Sequence, residues 1–156
     1  MKDNKVREIE FRGKDIKTKE WHYGSLVSKY DVDACLYCQY HILEKSEYSR
    51  SCDWDSDLVN VDFYEVDENT LGQFTGERDK NGNKIYEGDI LLVIPKEKSM
   101  DGKNHYDYVI FSNGCFCLTN AVIFYEFTYG VDNYEVVGNI YDNPELLGGS
   151  DEECDN

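Results

Sequence analysis

The chain has 156 residues with 32 acidic against 16 basic side chains, a net charge of −16. That length suits one domain or two small ones and allows roughly 70% of the unfolded surface to be buried without disulfide staples. A field this negative excludes ordinary binding to duplex nucleic acid, where Lys and Arg must displace phosphate counterions.

In chain order, Val6 to Phe11 (VREIEF) has the mixed alternation of a strand with one buried face. Asp15 to Glu20 is a charged connection, and Trp21, Tyr23, Leu26 and Val27 resume an aromatic and aliphatic strand, so the first block predicts a hairpin. Ala34 to Leu43 fits either a buried strand or a short helix, because a run this short is not settled by periodicity. Glu44 to Asp57 is polar and reads as an exposed loop. Leu58 to Val66 alternates with a period of two, which predicts a strand with Val59, Val61 and Phe63 on one face and Asn60, Asp62 and Tyr64 on the other.

Leu71 to Val93 packs two hydrophobic segments around Asn81-Gly82, a dipeptide suited to a tight turn with two positive φ angles. Tyr86 to Ile94 is predicted as one strand ended by Pro95. His105 to Phe111 and Cys115 to Thr119 flank a second Asn-Gly turn, and strands are predicted over Val122 to Tyr129 and Tyr134 to Tyr141. Asn143-Pro144-Glu145 starts a helical turn that Gly148-Gly149 ends. Residues 149–156 form an acidic tail expected to be disordered, having nothing apolar to bury. Thr70 to Phe74 and Val136 to Ile140 share an apolar-Gly-amide-apolar pattern that suggests two similar strands side by side.

The fold class expected from these elements is mainly β, hairpin-rich and with little helix. Residues 1–70 would form a β-rich N-terminal part with an acidic loop, and residues 71–148 a small SH3-like barrel or sandwich.

Three blocks also carry a family resemblance: Phe11 to Val27 (FRGKDIKTKEWHYGSLV), Leu71 to Val93, and Glu135 to Leu147 (EVVGNIYDNPELL). Together, in this order, the blocks resemble the YopX family of phage and prophage proteins. The segments Ser28 to Tyr64 and Pro95 to Tyr134 carry none of the resemblance. The resemblance implies a small, mainly β protein of bacterial viruses or prophages, with no established activity and no accepted catalytic residues.

Several constellations bear on chemistry. Cys35 and Cys38 have the spacing of a zinc knuckle, and His41 and Cys52 could complete a tetrahedral set. The second tight pair of a structural zinc site is missing, so free thiols are expected and no metal or other cofactor. Cys115 and Cys117 should point to one face of a strand with Phe116 opposite. Asp79 to Asn83 has a calcium-loop flavour but the wrong glycine position, and Ile90 stands where the bidentate Glu belongs. No nucleophile-base motif surrounds His22, His41 or His105, so no catalytic residue is assigned and no enzyme is expected.

Charge is unevenly spread: Met1 to Glu20 carries +2, Asp31 to Glu68 carries −9, and Ala121 to Asn156 another −9. With no run of about 20 apolar residues and no secretory h-region, a cytoplasmic location is expected, inside a bacterial host and without membrane contact. The leading functional expectation is a phage accessory protein that binds protein, either a host protein or itself as a homo-oligomer, with Trp21, Tyr23, Tyr86 and Tyr106 as anchors. An acidic DNA mimic, using Asp53 to Asp67 and Glu126 to Asn156, is the alternative from another class, and a small metal-binding protein is the third.

Overall fold

The structure, a computed structural model, describes residues 6–30, 38–45, 61–94, 104–119 and 134–148. These residues are mainly β, with antiparallel pairing throughout and helix limited to two 3-10 turns, as the alternation predicts. The chain divides into two compact units, Glu8–Gln73 and Met1–Arg7 together with Phe74–Asn156.

The first unit is built on β1 (Phe11–Lys14), β2 (Trp21–Tyr30), β3 (Cys38–Lys45) and β4 (Val61–Val66), in the order β4-β3-β2-β1. β1 and β2 form the expected hairpin, with Phe11 opposite Gly24 and Lys14 opposite Trp21. Its turn is closed by Asp15, whose carboxylate accepts from the backbone of Lys17 and Thr18, both at 2.7 Å. An isolated bridge joins Asp15 to Val66, with Ile16 N–H donating to Glu65 O at 3.0 Å and Asp67 N–H to Lys14 O at 2.9 Å. The end of β4 is thereby drawn back to the end of β1, and the sheet curls around its inner face. A 3-10 turn at Glu68–Thr70 follows, capped by the Asp67 side chain, and Thr70 Oγ1 accepts from Lys14 N at 2.9 Å.

One expectation fails in this unit. Val6 to Glu10 is not a strand: β1 starts at Phe11, and Val6 and Ile9 stand 90% and 64% exposed. β4 alternates as predicted, with Phe63 outward at 62% exposure and Val66 on the other side buried. Tyr64, on the inner side, stacks on His22 with ring centroids 3.5 Å apart.

β5 (Gly72–Arg78) carries the chain from the first unit into the second. Gln73 and Gly72 pair with Phe11 and Arg12, and further along Phe74 and Arg78 pair with Tyr86 and Lys84 of β6 (Lys84–Tyr86). The second unit continues with β7 (Asp89–Val93), β8 (His105–Ser112), β9 (Cys115–Leu118) and β10 (Tyr134–Asn139), ordered β10-β7-β8-β9. Its core is Ile85, Leu91, Val109, Leu118 and Tyr134, with Val93, Phe116 and Val136 packed against it.

The expected barrel is corrected to an open sheet: among the described residues no strand joins β9 to β10. The run Tyr86 to Ile94 is two strands because Glu87-Gly88 turns the chain, Tyr86 N–H donating to the Asp89 carboxylate at 2.7 Å. β6 then pairs with β5 and takes no part in the four-stranded sheet. The strands of the two glycine motifs are not paired with each other, since Gly138 pairs on β7 and Gly72 on β1. The predicted strand Val122 to Tyr129 and the acidic tail lie outside the described residues.

The two Asn-Gly dipeptides make different turns. At Asn113-Gly114 both residues have positive φ, 53° and 83°, and Ser112 pairs directly with Cys115, the two-residue hairpin the sequence predicts. At Asn81-Gly82 only the glycine is left-handed, with φ 85°. There Gly82 N–H donates to Asp79 O and Asp79 N–H to Asn83 O, both at 2.9 Å, which encloses Lys80, Asn81 and Gly82 in a wider loop. Nothing lies within 4 Å of a Cβ built on Gly82, so Gly82→Val meets backbone strain and no clash. A loss of about 1–3 kcal/mol is expected in denaturant melts, and an unchanged midpoint would contradict the assigned turn.

The tip of this hairpin rests on the outer edge of β10. Lys80 N–H donates to Tyr134 O at 3.0 Å, and Val136 N–H to the Asp79 carboxylate at 3.1 Å. Lys80 Nζ also meets Glu135 at 2.6 Å. After β10, Asn139 Oδ1 accepts from Tyr141 and Asp142, and a 3-10 turn at Pro144–Leu147 follows with Pro in its first turn. Asn143 flanks that turn as predicted but makes no side-chain cap; its Oδ1 accepts from Asn139 N at 3.4 Å instead.

Candidate binding face

Alternation gives the sheet of the first unit two contrasting faces. Inward lie His22, Ile42, Tyr64 and Val66, with Ile42 fully buried. His22 Nδ1 meets Glu44 Oε1 at 2.9 Å, and the same oxygen accepts from Tyr23 N at 3.2 Å. Stacked on Tyr64 and paired with Glu44, the imidazole is a satisfied interior group. Burial pushes the Tyr64 hydroxyl above its ordinary value, and the carboxylates of Asp62 and Glu44 add to this. The Asp15 carboxyl is held below its ordinary value by its backbone hydrogen bonds from Thr18 and Lys17.

Outward, the register places Phe63, Leu43 and Ser25 in one row across β4, β3 and β2, and Glu65, His41 and Val27 in the next. Tyr23 and Trp21 extend this face towards β1, opposite Arg12 and Lys14. Phe63, Tyr23 and Val27 are exposed, at 62%, 44% and 39%. The Arg12 guanidinium lies 4.7 Å from the centroid of the Trp21 ring and Lys14 Nζ 5.4 Å from it, so the indole is held between strands by cation–π contacts. Among the described outward positions of β1 to β4, Glu65 is the one carboxylate. In a chain with twice as many acids as bases, the exposed part of this face is apolar and aromatic, with Lys14 half-buried at its β1 edge and Arg12 buried against Trp21 at 5% exposure.

Of the predicted anchors, Trp21 and Tyr23 meet on this face. Tyr106 stands 43% exposed on β8 in the second unit. Tyr86 is corrected: it is 5% exposed and packs against Phe74 with ring centroids 5.7 Å apart, so it is a core residue of the second unit. Period-two patterning hid Phe63 and Val27, because it marks alternation and not which face the core takes.

Of the zinc candidates, His41 sits half-buried on β3 between Val27 and Glu65. Cys38 begins that strand, and Cys35 and Cys52 lie outside the described residues. Cys115 is exposed and Cys117 buried, and burial raises the Cys117 thiol, with Cys115 and Asp107 adding to the shift. Phe116 faces the core cluster, edge-on to Phe111 at 5.1 Å.

Three buried aspartates of the second unit act as backbone staples. Asp79 accepts from Asn81 N, Asn83 N and Nδ2, and Val136 N. Asp89 receives Tyr86 N–H, and Asp107 receives the backbone of Tyr108 and both the backbone and hydroxyl of Thr119. The calcium-loop pattern around Asp79 is thus a carboxylate saturated by its own hairpin and its neighbour strand.

A model of the YopX protein family matches residues 10–148. The chain belongs to the YopX family. The match runs through the segments between the three blocks that first suggested it. Among solved structures, protein EF1440 from Enterococcus faecalis is similar at 24% identity and a TM-score of 0.51, over 90% of this chain and 98% of that one. At that identity the likeness speaks for the fold alone. No curated protein matches the chain. None of the described helices of this YopX-family protein is long and apolar enough to cross a membrane.

Proposed function

We propose that this YopX-family protein is a phage or prophage accessory protein that works by binding protein through the outer face of β1 to β4. The supporting observation is the exposure of Phe63, Tyr23 and Val27 around the Arg12–Trp21 contact, on a face with a single described carboxylate. Exposed aromatic and aliphatic side chains with few surrounding acids are the composition of a protein-binding centre. The reading needs no reaction step and draws on no cofactor.

The test is capture from bacterial host extract with tagged protein, followed by mass spectrometry. Wild type and a Tyr106→Ser control should recover the same partner, and Phe63→Ser and Tyr23→Ser should lose it by roughly tenfold or more, the effect of a hot-spot residue worth about 1.4–2 kcal/mol. Recovery undiminished in both face variants would refute the reading.

A further inference from the structure

Asn-Gly stands at two hairpin tips of the second unit, and both dipeptides are exposed. Asparagine is thermally labile, most of all before glycine, whose nitrogen no Cβ shields from the side-chain carbonyl carbon of the residue before it. At either tip the attack needs a local swing of the Asn backbone that brings the following nitrogen onto Cγ. The dipeptides are identical, but the bonds such a swing must break are not.

At Asn81-Gly82 the reacting groups are tied down. The Gly82 N–H donates to Asp79 O at 2.9 Å, Asn81 N to the Asp79 carboxylate at 2.9 Å, and Asn81 Nδ2 to Glu135 Oε1 at 3.4 Å. Next to them, Lys80 N–H holds Tyr134 O at 3.0 Å and Lys80 Nζ holds Glu135 at 2.6 Å, so the swing would lift the tip off β10. At Asn113-Gly114 nothing lies within 4 Å of a Cβ built on the glycine. Among the described residues no hydrogen bond engages the Gly114 N–H or the Asn113 side-chain amide. A swing there disturbs only the Ser112–Cys115 pair at the open end of the hairpin.

We propose that Asn113-Gly114 is a site of spontaneous deamidation in the native protein, and that the clasp of the Asp79 loop on β10 protects Asn81-Gly82. The Gly114 nitrogen bonds to Asn113 Cγ, the Cγ–Nδ2 bond breaks, and the Gly114 amide proton leaves with the side-chain nitrogen as ammonia. Water then opens the cyclic imide at one carbonyl to give aspartate or at the other to give isoaspartate, in which the main chain runs through the former side chain. Either product adds a negative charge at neutral pH. Isoaspartate also adds a main-chain carbon to a two-residue turn whose ends pair directly. At the other end of the hairpin the Asp107 carboxylate holds Tyr108 N and Thr119 N, so the disturbance stays near the tip. This site is independent of the protein-binding face.

The test incubates the full chain near neutral pH at physiological temperature, with and without urea, and follows conversion at both sites by peptide mapping and mass spectrometry. In the native protein Asn113 should convert about tenfold or more faster than Asn81, because reaction scales with how often a tip opens and each clasp bond lowers that population. In urea the ratio should fall to about threefold or less, since both sites are then the same dipeptide in an open chain. Glu135→Ala, at a half-buried surface position, should speed Asn81 by about twofold to fivefold in native protein and leave Asn113 unchanged. Equal native rates, or an Asn81 that converts first, overturn the proposal. So does a preference that persists unchanged in urea, which would trace it to flanking sequence, and so does an Asn113 that converts in urea but stays intact when folded. An Asn81 rate unmoved by Glu135→Ala would overturn the protective clasp.

Discussion

Gly24→Ala is expected to cost about 3 kcal/mol or more and to abolish cooperative melting of the first unit. A Cβ at this position would lie 2.0 Å from Leu43 O and 2.8 Å from Leu43 C. Both are backbone atoms of the neighbouring strand, so no side-chain rotation relieves the contact, and β2 and β3 must separate where Ser25 pairs with Leu43. Gly13→Ala makes the informative comparison. Its Cβ would meet Val66 Cγ2 at 2.8 Å and Val66 Cβ at 2.9 Å; rotation can withdraw the methyl but not the Cβ, so β4 must also give way locally, and a loss of about 1–3 kcal/mol, smaller than that of Gly24→Ala, is expected. Denaturant melts of both variants, followed by the near-ultraviolet signal of Trp21, give the order. Equal midpoints for Gly24→Ala and wild type would mean that β2 and β3 do not approach as described.

Asp79→Ala is expected to lower the stability of the second unit by about 3 kcal/mol at neutral pH, since it strips acceptors from three backbone N–H groups and one amide around a residue only 2% exposed. Asp79→Asn should lose about half as much, because one oxygen is kept while the new amide faces the donors of Asn83 and Val136. The pH dependence distinguishes this from a packing loss. Burial works to raise the Asp79 carboxyl, but the hydrogen bonds from Val136, Asn83 and Asn81 outweigh it and hold the group below its ordinary value. As pH falls the unfolded chain therefore takes up the proton first. The contribution is present above about pH 4 and is lost as the pH drops through the lowered native value. Melts of wild type and Asp79→Ala should thus converge between neutral pH and about pH 2. A gap unchanged across that range would assign the loss to something other than the carboxylate's charge.

The β class, most strand positions and the second Asn-Gly hairpin were legible in the sequence because each follows from local pattern. Asn113-Gly114 adopts the two-residue turn its residues favour. Asn81-Gly82 sits beside Asp79, whose carboxylate binds Asn81 N, Asn83 N and a strand more than fifty residues away, and the loop widens to satisfy it. Such long-range capture has no signature in a window of ten residues. Tyr86 was misassigned for a related reason: it reads as one more aromatic in an exposed-looking hairpin, and the Glu87-Gly88 turn that folds it into the core depends on the Asp89 carboxylate. The exposed outer face of β1 to β4 was half legible. Trp21 and Tyr23 are conspicuous, but Phe63 and Val27 gain their meaning from which way β4 and β2 turn, and that is decided by the His22–Tyr64 stack inside the sheet.

The seat of β10 bears on how the chain is completed during synthesis. Its partners on both sides, β7 and the Lys80 tip, lie well upstream, so each is made before Tyr134 leaves the ribosome. β10 therefore enters a slot whose two walls already exist, with the Asp79 carboxylate waiting for Val136. A chain that stops short of Tyr134 keeps both walls but leaves the slot open, with the Leu91 strand edge and a buried-type carboxylate facing water. Premature termination in the last part of the message should therefore yield a sticky product, while a chain that reaches Asn139 closes the slot with β10.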